Sequence, residues 1–262
     1  MRSSLNYSNP VAPSAYVPPA MRERIIRESD PVATVGPGMV RFEGFSSCTS
    51  AYARLDLSDE ALAVENRQNR TTNVDFGQAI RSALAEVRSD GRLDVSIGAK
   101  GVAIAPERAA VHEKKVPLPV RWVRGFGEVH VAMAGMEPRF STSKIAAQRF
   151  IRTIARGNLD HLQWISATPS GLHSAARPTK GAVPLRGGHR VRALEPLAAL
   201  AKSMDVWAAP GGAASAWSLD FGTQRLTLAL NIEPWRGFSG DGGLLGDLIG
   251  EDRTASVRAQ LA

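Results

Sequence analysis

Ser141-Thr142-Ser143-Lys144 is the run whose residue types and spacing come nearest to a catalytic motif. In Ser-x-x-Lys a lysine one helical turn from a serine draws off its proton and makes the hydroxyl a nucleophile. The companion Ser-Asp-Asn and Lys-Thr-Gly elements are missing, Thr179-Lys180-Gly181 having the order scrambled, and a serine ahead of a helical run is well suited to cap it. Gly237-Phe238-Ser239-Gly240 is not a nucleophile elbow, because its second glycine comes one residue early. Gly240-Asp241-Gly242-Gly243-Leu244-Leu245 has Leu245 where a dinucleotide fingerprint needs its third glycine, and no strand leads into it. The five histidines, His112, His130, His161, His173 and His189, lack the close spacings that assemble a metal site. Cys48 is the single cysteine, so neither an internal disulfide nor a cysteine-based zinc cluster can form within the chain, and it reads as a small, partly buried residue in a turn. The expectation is no catalytic residue, no metal and no cofactor.

Charge is more informative by position than by total. Between Pro138 and Leu194 stand Arg139, Lys144, Arg149, Arg152, Arg156, Arg177, Lys180, Arg186, Arg190 and Arg192, against one acid, Asp160. Arg149, Arg152 and Arg156 fall at i, i+3 and i+7, which puts them on one helical face able to meet phosphates. Few aromatics, such as Phe150 and Trp164, lie nearby, so a base-stacking platform is not evident. The segment therefore reads as the binding surface of a non-enzymatic interaction domain, for nucleic acid or an acidic protein partner. A merely solvated face is the plain alternative, and a hydrolase using Ser141 or Ser143 is the enzymatic one.

The chain's net charge of +7 agrees in direction, although 26 of its 32 basic residues are arginine, a bias that base composition can produce. Met1 to Tyr7 lacks the apolar core of a signal peptide, and no stretch supplies the ~18 apolar residues of a membrane span. A reducing cytoplasm is the expected location; oligomeric state is left open.

The elements that must carry these residues follow from periodicity. Residues 1–19, with Pro10, Pro13, Pro18 and Pro19, read as a flexible arm, and Pro19 can open a short helix from Ala20 to Glu28. Residues 39–45 and 51–57 are predicted strands, the second alternating Ala51, Ala53, Leu55 and Leu57 with Tyr52, Arg54 and Asp56. Residues 58–72 read as an exposed excursion. Asp75 is a candidate cap for a helix carrying Ile80, Leu84 and Val87, and Leu93, Val95 and Ile97 begin three strands. Ser143 opens a second helix that buries Ala147, Phe150, Ile151 and Ile154. Strands near 162–166, 171–176 and 181–185 follow. A third helix is expected over 196–203, with Pro196 in its first turn, and then strands near Val206, 214–219 and 226–232.

Trp122-Val123-Arg124-Gly125-Phe126 is echoed by Trp235-Arg236-Gly237-Phe238, each after a helix and three strands, which predicts one repeated unit with Trp122 and Trp235 as equivalent core anchors. Helices separated by runs of hairpin-linked strands argue for an α+β fold of repeated helix-plus-antiparallel-strand units. Its organisation reads as an arm, 1–19, and two α+β parts, 20–134 and 135–262, that can be continuous.

Met39 to Cys48, Tyr52 to Leu57, Thr71 to Phe76, Lys114 to Phe126 and Trp235 to Gly240 together resemble the region N-terminal to the zinc finger in bacterial SWIM zinc-finger family proteins. The family's Cys-x-Cys and Cys-x-His ligands are absent from this sequence. The resemblance thus implies a fragment or a finger-less relative, without the part of the family linked to DNA or protein binding.

Overall fold

The computed structural model describes residues 31–74, 76–88, 91–106, 110–118, 120–157, 160–233 and 237–238. The first half contributes β1 (Val32–Gly36), β2 (Met39–Phe45), β3 (Ala51–Ser58), β4 (Arg70–Asn73), helix α1 (Gln78–Glu86), β5 (Leu93–Gly98), β6 (Gly101–Pro106) and β7 (Val111–Lys114). Helix α2 (Val120–Ala134) leads into the second half. There β8 (Glu137–Ser143) runs into α3 (Lys144–Thr153), followed by β9 (Leu162–Thr168), β10 (Gly171–Ala175) and β11 (Val183–Arg186). A 3-10 stretch, Gly188–Leu194, joins the short α4 (Glu195–Ala198), and β12 (Ser203–Ala208), β13 (Ala214–Asp220) and β14 (Gln224–Asn231) complete the half.

Eight strands form one antiparallel sheet in the order β4-β1-β2-β3-β14-β13-β12-β8. The order is palindromic in construction. Each half gives a three-stranded meander to the middle, and each edge strand, β4 or β8, feeds a helix and then a small three-stranded sheet, β5-β6-β7 or β10-β9-β11. The repeated unit is therefore strand, helix and three strands, and the fold is α+β with antiparallel sheets.

Side chains alternate between the faces of the large sheet because a strand has a period of two. Phe42, Leu55, Leu226, Leu219 and Met204 are cross-strand neighbours in one row. On this face α3, the β9–β11 sheet and the 191–198 turn bury Ala147, Phe150, Ile151, Ile165, Val191 and Leu194 against Met204, Val206, Trp217 and Leu219. At the other end α1 and β6 bury Ile80, Ala83, Val102 and Ile104 with Ala33. The opposite face carries the row Phe45, Tyr52, Ala229 and Ala216, and α2 covers it through Trp122, Val129 and Ala132.

Several expectations change. Trp122 to Phe126 lie inside α2 rather than in a turn after strands. Gly125 is needed there because an added Cβ would stand 2.6 Å from the Phe238 carbonyl oxygen. Gly237 and Phe238 form a turn instead; Trp235 and Arg236 lie outside the described residues. Trp122 is itself buried, 2% exposed. The first helix begins after Gly77 and buries Ile80 and Ala83, leaving Leu84 exposed; Asp75 lies outside the described residues. The excursion at 58–72 contains most of β4, an edge strand whose Thr71 faces Thr34. The helix expected over 196–203 is a single turn, because Ser203 already pairs in β12; Pro196 does sit in its first turn. The arm and the helix expected over 20–28 lie outside the described residues.

Candidate anion-binding surface

Helix α3 starts where β8 ends. The Ser143 backbone is extended at the N-cap and its hydroxyl accepts from the Ala146 amide at 3.4 Å, satisfying one of the donors that a helix start leaves open. The hydroxyl that could have been a nucleophile is thus a cap. Ser141 sits in β8 opposite Asp205, and among the described residues neither serine hydrogen-bonds to Lys144.

The sequence Lys144-Ile-Ala-Ala-Gln-Arg-Phe-Ile-Arg-Thr places Ala147, Phe150 and Ile151 in the core, with Phe150 stacked on Trp217 at 5.7 Å. The remaining positions face water: Lys144, Arg149 and Arg152 are exposed, and Arg156 is exposed just beyond the helix. The helix contains no acid. Arg177 and Lys180 are exposed in the loop between β10 and β11, and β10 packs beside α3. Among the described residues no carboxylate pairs with any of these six cations. Arg139, on the edge strand β8, reaches Glu137 at 3.1 Å.

The other three cations of the segment are engaged by the protein itself, Arg186 at the surface and Arg190 and Arg192 within the fold. Arg186 makes a two-point contact with Asp160 at 2.9 and 3.4 Å. Arg190 directs its guanidinium at the Gly187, Arg186, Ser50 and Asn231 carbonyls and the Ser50 hydroxyl, which uses all five of its N–H donors. Burial pushes its pKa down, an effect opposed by the Cys48 thiol and Asp160. Arg192 caps the end of α3 by donating to the Ile151 and Ile154 carbonyls at 3.0 and 2.7 Å, and pairs with Glu195. A count of charges along a sequence cannot separate these roles. Glycines and tight turns around Arg190, at Gly187 and Gly188, were the available sign of a structural arginine.

Two polar clusters had no motif to announce them. On the α2-covered face Tyr52 donates its hydroxyl hydrogen to Glu43 at 2.5 Å, and His130 Nε2 lies 3.1 Å from the same carboxylate oxygen. Glu43 is 7% exposed. Burial alone would raise its pKa, but the His130 and Tyr52 hydrogen bonds and the nearby Arg41 outweigh it and hold the carboxyl below its ordinary value. Burial and the Glu43 charge push the Tyr52 phenol well up. Cys48 Sγ stands 3.2 Å from Ser46 Oγ and 3.0 Å from Ser50 Oγ. Burial opposes ionisation of this thiol, yet those hydroxyls and Arg190 bring its pKa down. Cys48 does lie in the turn between β2 and β3, half-buried. No group of three or more potential metal ligands occurs among the described residues.

The chain matches no protein-family model and no curated protein. Among solved structures it is similar to a chain of the PCNA2-PCNA3 complex from Sulfolobus tokodaii, with a TM-score of 0.59 and 8% identity over 80% of this chain and 92% of that one. At that identity the likeness is one of fold, and that fold is built of repeated helix and sheet units. No helix among the described residues is long and apolar enough to cross a membrane.

Proposed function

We propose that this chain is a non-enzymatic interaction domain that grips the phosphate backbone of nucleic acid with the exposed side of α3. The observation that carries the reading is a helix whose outer face holds Lys144, Arg149 and Arg152 with no acid on it, continued by Arg156. Unpaired guanidinium and ammonium groups gain more from phosphates than paired ones do, since nothing has to be given up. The scarcity of exposed aromatics around them favours backbone contact over base stacking. Arg177 and Lys180, on the loop beyond β10, would extend the surface, whereas Arg190 and Arg192 would shape it from within.

The likeness to a PCNA chain, solved as a complex of two such proteins, supports an interaction role and a second chain of similar fold as a further partner. The kinship with the SWIM zinc-finger region belongs to the same proposal. Residues from several segments that carry it, Phe45, Tyr52, Trp122, Phe126 and Phe238, meet in one aromatic cluster, with Phe45 and Phe126 centroids 4.9 Å apart. These motifs would then mark a shared core rather than shared chemistry.

The test is a salt titration of duplex DNA binding. Arg149→Glu, Arg152→Glu and Arg156→Glu together should abolish binding, and neutralising them one at a time should lower the slope of log affinity against log salt by about one each. An unchanged affinity and slope in the triple variant would refute the reading.

A further inference from the structure

Ile145 and Leu200 are large apolar side chains that the fold leaves in water, 54% and 70% exposed. Ser143, at the end of β8, pairs with Ser203, at the start of β12. Ile145 and Leu200 therefore depart from one corner of the sheet, two residues after that pair and three before it. Helix α3 packs against α4, and the Leu200 amide donates to the Leu197 carbonyl at 3.0 Å, which sets Leu197, also exposed, one turn ahead of Leu200. Pro196 and Ala199 are exposed beside them, because Leu194, Ala198 and Ala201 take the inward positions. A single surface leucine means little, but apolar side chains gathered from a helix and the turn packed on it mark a contact surface.

We infer that this ridge docks an acidic amphipathic helix of another protein, a reading that does not rest on nucleic-acid binding. The rim of the ridge is positive: Lys144 and Arg149 flank Ile145 on α3, Lys202 follows Leu200, and all three are exposed. Among the described residues no carboxylate pairs with them, since Glu195, Asp205 and Asp220 on the neighbouring elements are taken by Arg192 and Arg225. Aspartates and glutamates around two or three apolar anchors complement such a surface, and a helix offers that arrangement with its anchors at i, i+3 or i+4 and i+7. A second copy of this chain fits less well, because a two-fold contact through the ridge would bring its lysines and Arg149 up against their own equivalents. Leucines gain nothing from phosphates. The exposed large apolar side chains of the described residues include none of the tryptophans or tyrosines that anchor a protein at a membrane surface.

Selection from phage-displayed random peptides of sixteen residues tests this on the full chain, with counter-selection on the double variant Ile145→Ser, Leu200→Ser. Both side chains lie in water, so the variant should melt with the parent, and Leu200→Ser alone replaces it should the melting temperature fall. The enriched peptides should combine Leu, Ile or Phe at helical spacing with an excess of Asp and Glu. A synthetic copy of one should bind the variant at least about tenfold more weakly than the parent, and its affinity for the parent should drop with added salt and in Lys202→Ala. Duplex DNA binding should be the same in Leu200→Ser as in the parent, which keeps this result apart from that of the arginine variants. No enrichment over the double variant, or enriched peptides without an acidic excess, would overturn the inference. So would a dimer of the parent chain in sedimentation, or its binding to phosphatidylglycerol vesicles, if Leu200→Ser abolished it, because the occupant would then be a second copy or a membrane.

Discussion

Arg190 shows what a single side chain can hold together. It ties the β2–β3 turn, through Ser50, to the end of β14, through Asn231, and to its own turn, through Arg186 and Gly187. Lysine has the charge but lacks the planar fork, so Arg190→Lys leaves several of these carbonyls without a donor. The loss should be on the order of 3 kcal/mol, read as a lower denaturant midpoint with an unchanged slope. Glu43 makes a pH-dependent contribution. Its folded pKa lies below the unfolded one, so ionised Glu43 stabilises the fold above the ordinary glutamate range and that stability is lost as pH falls through the folded value. Melting temperatures measured from pH 6 downward should therefore fall steeply below about pH 4.3 in the parent chain and less steeply in Glu43→Gln. Parallel curves for the two proteins would contradict the assignment.

At the scale of elements, α2 is the piece that departs most from its sequence pattern. A helix of Val, Trp, Gly and Phe forms because it can press Trp122, Val129 and Ala132 onto the sheet, with Phe45 and Trp122 in edge contact at 5.7 Å. Truncating Trp122 to Ala should cost ~3–5 kcal/mol. Gly125→Ala opposes two effects: alanine favours a helix interior by about 1 kcal/mol, while its Cβ must displace the backbone at Phe238. A backbone contact at 2.6 Å yields less readily than a side chain, so the substitution should be destabilising in chemical denaturation despite the better helix former.

For the whole molecule the decisive feature is the seam. β3 pairs with β14 over seven residue pairs, from Gln224 opposite Leu57 to Leu230 opposite Ala51, and this joins the two halves into one sheet. Each half alone would expose a central strand edge and the apolar face beside it. Calorimetry should accordingly find one cooperative transition, with calorimetric and van't Hoff enthalpies in agreement. Two separable transitions would mean that the seam contributes little.

Local periodicity was enough to locate β2, β3, α3 and the strands from β9 to β14; in α3 the helical stripe coincides with the buried face, whereas in β3 Tyr52, on the polar side of the alternation, is the buried residue and Ala53, on the apolar side, is exposed. It also identified Ser143 as a cap and the α+β class. Val32 to Gly36 and Arg70 to Asn73 carry no such pattern, and they are strands only because each has a neighbour to pair with. Trp122 to Phe126 is helical only because a sheet face is there to receive it. The same limit applies to the basic segment. Its ten cations are equal in sequence, and the tertiary structure alone turns Arg190 and Arg192 towards carbonyl oxygens while leaving Lys144, Arg149 and Arg152 in water, since a hydrogen-bond acceptor far along the chain is invisible until folding brings it within 3 Å.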